Sequence, residues 1–256
     1  AALEYSSNLY LVIAGTFILS VTNVIFPRLS RLTAGGREGE FQTTIRQTLR
    51  VTLFFVLPMS AGLMAVARPL ISLIYGGGEF DAFAVEITAA GLSWMSLGMV
   101  GYAVQNLLSR AYFAKQKGKV PLIAGGVSIL VNIVLCRLLA DKLEVAGLAL
   151  SSALSSTVYA LFLLLPLQRG GERILDGGAL RNLGKMVLAA GGMGACVWAA
   201  LSGLAPLFPA GKVGELLCLG ACGLLGAAVY FLLTLILRVE EAGLCVSVVK
   251  QTLKRG

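Results

Sequence analysis

Residues Tyr5–Pro27 read YSSNLYLVIAGTFILSVTNVIFP, 23 positions without a charged side chain, and Arg28 and Arg31 follow at once. The hydrocarbon core of a bilayer takes about 20 residues of helix, so this stretch has the length and polarity of a membrane span. Six more charge-free stretches follow it: Val51–Ala67, Ile87–Ser109, Val120–Cys136, Val145–Gln168, Met186–Gly211 and Leu216–Leu237, which hold 17, 23, 17, 24, 26 and 22 residues. A soluble chain of 256 residues has too little remaining surface to cover seven such helices. The expected fold is all-α, a polytopic transmembrane bundle of seven spans.

Composition agrees and excludes several functions. Hydrophobic residues make up 57% and charged residues 13% of the chain, against about a quarter charged in soluble domains. The chain contains no histidine, which removes His-based triads, His-ligated zinc and haem–His sites. Gly76-Gly77-Gly78 is not followed by Gly-Lys-Ser/Thr, so it is no nucleotide loop. The five cysteines form no C-x-x-C pair. Cys218 and Cys222 lie instead in a row, Gly214-xxx-Cys218-xxx-Cys222-xxx-Gly226, that lets another helix or a lipid chain approach closely. No catalytic constellation is present, and an enzyme is not expected.

The formal charge of +8 would point to nucleic acid in a soluble protein. Here the basic residues sit between spans, and orientation explains them without a nucleic-acid partner. Arg28, Arg31, Arg37, Arg46, Arg50, Arg110, Lys115, Lys117, Lys119, Arg169, Arg173, Arg181, Lys185, Arg238, Lys250, Lys254 and Arg255 fall on one side, 17 of the 21 Lys and Arg. Arg68, Arg137, Lys142 and Lys212 fall on the other. With acids included, the sides sum to +11 (17 − 6) and −3 (4 − 7). The positive-inside rule places the first side in the cytoplasm, with the N-terminus of this segment outside and its C-terminus inside. The first span begins almost at Ala1 without Met or a basic n-region, so a piece of a longer protein is expected.

Polar side chains within spans mark pathways, because they are costly in lipid and turn to cavities or bundle interiors. Here they are Asn8, Asn23, Ser93, Gln105, Asn106, Asn132 and the cluster Ser151, Ser152, Ser155, Ser156 and Thr157. Asn106 and Arg110 are one helical turn apart and can face the mouth of one cavity. Small hydroxyls also serve helix packing, and that alternative stands for the serines. No acid or base lies at the middle of any span, so a proton relay is not expected in this segment. Phe41, Ile45 and Leu49 with Arg46 and Arg50 form an amphipathic lead-in whose arginines meet lipid phosphates or simply anchor the helix. Pro58 bends the second span.

Several segments resemble the MurJ/MviN family, the lipid II flippases of bacterial peptidoglycan synthesis. Phe26-Pro27-Arg28-Leu29-Ser30-Arg31-Leu32 is similar to the family's Leu-Pro-Arg-Leu-Ser. Leu57-Pro58 with Gly62-Leu63, Arg68-Pro69-Leu70-Ile71 and the turn Tyr75-Gly76-Gly77-Gly78-Glu79-Phe80 follow in family order. Most specific is Leu108-Ser109-Arg110-Ala111-Tyr112-Phe113-Ala114-Lys115-Gln116 with Pro121, close to Arg-Ala-Phe-Tyr-Ala-x-Gln-Asp-x-x-x-Pro. Ala146-Gly147-Leu148-Ala149-Leu150-Ser151 resembles the opening of the last core helix.

The resemblance implies the C-terminal half of a fourteen-helix, two-lobed exporter of the bacterial plasma (inner) membrane. Residues 1–169 would be helices eight to twelve, 170–240 the two additional helices, and 241–256 a cytoplasmic tail. The implied function is flipping of lipid II by alternating access. The implied partners are a lipid-linked sugar-diphosphate, membrane lipids and a missing N-terminal lobe. Substrate-binding residues expected from it and from the polar pattern are Asn8, Asn23, Arg28, Arg31, Gln105, Asn106 and Arg110, with a candidate cation site at Asn132 and Ser152. No cofactor is expected beyond a coupling cation or the membrane potential. The chain departs from the family at Asn8, where many members have arginine, at Leu11 and Cys136, where members carry acids, and at Lys117, where they carry Asp. Export of another lipid-linked oligosaccharide and a non-transporting scaffold for cell-wall synthesis are the alternative functions.

Overall fold

The computed structural model describes residues 2–77, 80–168, 176–204 and 211–243. Arg169, Arg173, Lys250, Lys254, Arg255, the 169–170 boundary, Gly78 and Glu79 of the outer turn and most of the tail lie outside the described residues. The described elements are helical: α1 (Ala2–Ala34), α2 (Glu38–Tyr75), α3 (Ala82–Leu97), α4 (Met99–Ala114), α5 (Lys119–Gln168), α6 (Gly177–Leu204) and α7 (Lys212–Ile236). Five of them are long and apolar enough to cross a bilayer, and α3 with α4, bent by 45°, makes a sixth. The expected seven is reached only if α5 counts twice.

Helix α5 would be about 75 Å long if straight, at 1.5 Å per residue. It breaks at Glu144, whose φ of 49° and ψ of −124° are not helical. Its two arms, 119–143 and 145–168, run antiparallel. Tyr159 donates to the Pro121 carbonyl at 3.1 Å, and Ser128 to the Ser155 carbonyl at 2.8 Å, so pairs on either side of the break face each other. Gly147 makes this possible, since a Cβ there would stand 2.4 Å from the Leu139 carbonyl oxygen.

Helix α2 is the axis of the bundle and packs against α1, α3, α4, α6 and α7. Its 38 residues contribute to three apolar clusters. Phe41 and Ile45 pack with Leu29, Leu107, Leu108 and Leu163. Val56 and Ile71 pack with Ile18, Leu92 and Met99. Phe54 packs on another side with Met186, Met193, Val197 and Cys222. Large apolar side chains also cover the outside, as with Leu122, Leu224 and Trp198 at 76%, 77% and 71% exposure. A hydrocarbon surround accounts for such a surface, which water would not tolerate.

Buried hydroxyls tie the helices where their backbones approach or break. Ser60 donates to the Ser96 carbonyl at 2.6 Å beside the α3–α4 bend, and Ser6 to the Thr88 carbonyl at 2.7 Å. Tyr112 reaches the Leu163 carbonyl at 2.9 Å and Tyr230 the Phe54 carbonyl at 2.8 Å. At the bend, a Cβ on Gly98 would stand 2.6 Å from the Ala153 Cα. Gly98→Val is therefore expected to destabilise the full-length protein by about 1–3 kcal/mol. A lowered midpoint of thermal unfolding in detergent checks this; an unchanged midpoint contradicts the close approach.

Candidate functional site

Two exposed helix faces differ in character. The outward face of the first arm of α5 presents Leu122, Ile123, Ile129, Leu130, Ile133 and Val134, all apolar. The outward face of α1 presents Asn8, Thr16, Ser20, Asn23, Arg28 and Arg31, with Leu11, Val12, Leu19 and Val24 between them. A π-turn at Leu11–Gly15 sets this stripe. In a pure α-helix, eight residues turn about 800°, which would leave Asn8 about 80° out of line with Thr16. The extra residue taken up by the π-turn reduces the offset to about 20°. Thr16 and Ser20 are not among the residues expected from sequence, although with Asn23 they keep the ordinary i, i+4, i+7 spacing; the π-turn hides only the alignment of Asn8 with them.

The other expected residues lie on α4 and are half-buried: Gln105, Asn106 and Arg110. Asn106 donates its amide to the Tyr102 carbonyl at 2.8 Å within its own helix. The Gln105 Oε1 is enclosed without a hydrogen-bond partner. The Arg110 guanidinium stands 5.8 Å from the Phe26 ring centroid of α1, so Arg110 shares one end of the bundle with Arg28 and Arg31. Arg31 makes a 3.4 Å contact from Nε to the Pro27 carbonyl. The structure thus brings Asn8, Asn23, Arg28 and Arg31 onto one open wall and sets Arg110 beside it.

Asn132 and Ser152 are linked through Ser155, whose hydroxyl donates to the Ser152 carbonyl at 3.0 Å. Asn132 donates to the Ser155 Oγ at 3.2 Å, between the arms of α5, and accepts a 3.6 Å contact from the Cys136 thiol. Ser152 donates to the Leu148 carbonyl at 3.1 Å and lines a separate cavity with Ser7, Tyr10 and Tyr102. Among the described residues no group of three or more His, Cys, Asp or Glu is placed to hold a metal ion. The donors around Asn132 are neutral, and its amide oxygen already faces a thiol.

A charged clamp at the basic end is not apparent from the sequence pattern. Asp176 caps α6, accepting from the Ala179 N–H at 2.7 Å, and lies 3.9 Å from both Arg46 and Arg50 of α2. Arg50 also meets Glu240 at 2.7 Å. Glu241, only 4% exposed, accepts from the Asn182 amide at 2.5 Å. The signal that could have found it is the presence of acids in otherwise basic loops, with Asp176 directly before Gly177-Gly178. Elsewhere Lys115 pairs with Glu38 and covers the Phe41 ring.

Between α2, α6 and α7 lies an apolar groove of about 540 Å³, walled by Phe54, Phe55, Pro58, Val197, Cys222 and Phe231 among others. The small-residue row Gly214, Cys218, Cys222 and Gly226 is buried against α6, and a Cβ on Gly226 would meet Val197 at 2.9 Å.

The family model described as "Lipid II flippase MurJ" matches residues 1–222. The chain belongs to the MurJ family. It is 27% identical over its whole length to a probable lipid II flippase MurJ of Rhizobium meliloti (strain 1021), covering 48% of that protein. Identity to the probable lipid II flippase MurJ of Thermotoga maritima is 29% over 99% of this chain and 48% of the relative. The lipid II flippase MurJ of Thermosipho africanus is 31% identical over 63% of this chain and 33% of its own length. A solved MurJ structure, titled as an inward closed conformation, superposes with a TM-score of 0.74 and 26% identity over 92% of this chain and 46% of that one. The chain thus spans about half the length of the MurJ relatives that cover all of it. Family membership and the apolar helices make it a multi-pass membrane protein.

The Ala179 N–H, with Arg46 and Arg50, holds the Asp176 carboxyl below its ordinary value. A lowered value means that the clamp's contribution is complete above the unfolded carboxyl's range, about pH 4, and is lost as pH falls through the lowered value. The stability difference between wild type and Asp176→Asn is expected to be constant from neutral pH to about pH 4 and to shrink below it. Thermal unfolding across pH checks this; a difference that persists in acid contradicts an ionised clamp.

Proposed function

We propose that this chain is the C-terminal half of a lipid II flippase of the bacterial plasma membrane. It would carry the lipid-linked sugar-diphosphate from the cytoplasmic to the outer leaflet by alternating access. The observation that carries this is the polar stripe of α1, exposed beside apolar faces that suit lipid. Polar side chains exposed at membrane depth call for a covering partner or a water-filled cavity, and a second lobe facing α1 supplies both. Relatives of about twice this length named as lipid II flippases support the assignment.

On this reading residues 1–169 are helices eight to twelve of the C-terminal lobe, 170–240 the two additional helices and 241–256 a cytoplasmic tail. The positive-inside distribution puts the end holding Arg28, Arg31 and Arg110 in the cytoplasm, where guanidinium groups receive the diphosphate by charge-assisted hydrogen bonds. Asn8 and Asn23 offer neutral contacts further along the wall, with Gln105 and Asn106 half-buried on α4 behind it. The groove between α2, α6 and α7 has the apolar lining that a polyprenyl tail needs. The chemistry is transfer between leaflets with no covalent step, so no catalytic residue is assigned. Energy would come through the other lobe, the membrane potential or a coupling cation.

The full-length protein is expected to restore growth to cells depleted of their own flippase. The triple variant Arg28→Ala, Arg31→Ala, Arg110→Ala at equal membrane abundance should not, because each lost charged hydrogen bond costs about 1.5–3 kcal/mol. Failure of the well-expressed wild type overturns the assignment. Full activity of the triple variant overturns the placing of the diphosphate.

A further inference from the structure

A second cavity, of about 190 Å³, lies where α1, the α3–α4 bend and the return arm of α5 meet. Its lining includes the hydroxyls of Ser7, Tyr10, Tyr102, Ser152 and Ser156, and among the described residues no charged side chain lines it. Tyr10 is 7% exposed, yet among the described residues its hydroxyl has no hydrogen-bond partner, nor do those of Ser7, Tyr102 and Ser156. These residues line the cavity, where their hydroxyls are free to bond an occupant. Ser152 uses its proton on the Leu148 carbonyl at 3.1 Å but keeps its capacity to accept. A pocket with this many unused donors and acceptors is built to be filled by something polar.

We propose that this cavity binds an uncharged sugar ring of the lipid-linked substrate, an assignment that rests on the flippase reading above. A diphosphate would find no cation here. A polyprenyl chain would strand the hydroxyls, while an apolar groove is open to it elsewhere. A pyranose matches both parts of the lining: its hydroxyl and amide groups meet the serines and phenols, and its C–H face lies on an aromatic ring. Tyr10 and Tyr102 supply such rings, their centroids 6.0 Å apart and their planes inclined by 67°.

Two backbone irregularities converge on the pocket. The π-turn Leu11–Gly15 starts directly after Tyr10, and Gly98 at the bend is itself part of the lining. Such departures from α geometry are frequent where a helix must shape a site. Arg110 stands eight residues beyond Tyr102 on α4, about 12 Å along the helix. That separation places a cation where the phosphates of a sugar-diphosphate would follow the ring.

The test compares two lipids on the full-length protein in detergent: lipid II, and the same polyprenyl diphosphate without sugars. The Tyr10→Phe, Tyr102→Phe double variant keeps both rings and is expected to bind lipid II ~10-fold more weakly. Its affinity for the sugar-free lipid and its unfolding temperature should not change. Ser156→Val, at the opposite wall, should weaken lipid II alone by ~3-fold. Equal weakening toward both lipids, or no change toward lipid II, overturns the sugar pocket. A wild-type protein that binds neither lipid overturns the flippase reading and the pocket with it.

Discussion

In hydrocarbon a backbone carbonyl or amide has no water to turn to, so every departure from regular helix has to be closed from within the protein. This bundle departs from regularity at the π-turn of α1, at Gly98 and at Glu144. A side chain answers at the bend, while the arms of α5 are tied further along their length. Ser60 reaches the Ser96 carbonyl beside the bend, and Ser128 and Tyr159 lace the arms of α5 together. The polar wall of α1 and the hydroxyl-lined cavity both depend on these irregularities. The π-turn aligns the wall, and the bend at Gly98 gives the cavity part of its lining. The features that make the helices imperfect are the ones that shape the surface offered to a ligand.

Helix α2 divides the molecule into a core and an attachment. On one side its apolar residues join α1, α3 and α4; on another, Phe54 and its neighbours join α6 and α7. The attachment is held at the basic end by Arg46, Arg50, Asp176 and Glu240 and deeper by the Tyr230 hydroxyl on the Phe54 carbonyl. Exposed ion pairs are each worth at most about 1 kcal/mol, so the clamp sets position more than it supplies stability. The apolar groove starts at the second fastening and runs along α2 from Phe54 to Leu70, away from the clamp.

Much of this architecture is legible in the amino-acid sequence. Charge-free stretches mark helices because a charge within hydrocarbon is costly, and they overlap α1, α2, α6 and α7, although Val51–Ala67 holds only 17 of the 38 residues of α2. The α3–α4 bend is not legible: Gly98 is one of 31 glycines, and only the approach of Ala153 sets it apart. Asn8, Asn23, Arg28 and Arg31 stand out in the sequence and share one wall, while Thr16 and Ser20, short hydroxyls at ordinary helical spacing from Asn23, look like packing residues. Asn132 and Ser152 are linked through the Ser155 hydroxyl, a connection that depends on how the α5 hairpin closes. Arg46 and Arg50 look like interfacial anchors, since their acidic partners are far away in sequence.

The central claim is that the exposed face of α1 borders water inside a larger molecule while the exposed face of α5 borders lipid. Thiol labelling of the full-length protein in membranes tests it directly. Single cysteines replacing Thr16 or Ser20 on α1, and Ile129 or Leu130 on α5, are compared in a background without native cysteines. All four positions lie at mid-span and are exposed in this chain. A small hydrophilic maleimide should modify the α1 positions and leave those on α5 untouched. Equal protection at all four would place α1 in lipid and contradict the cavity wall.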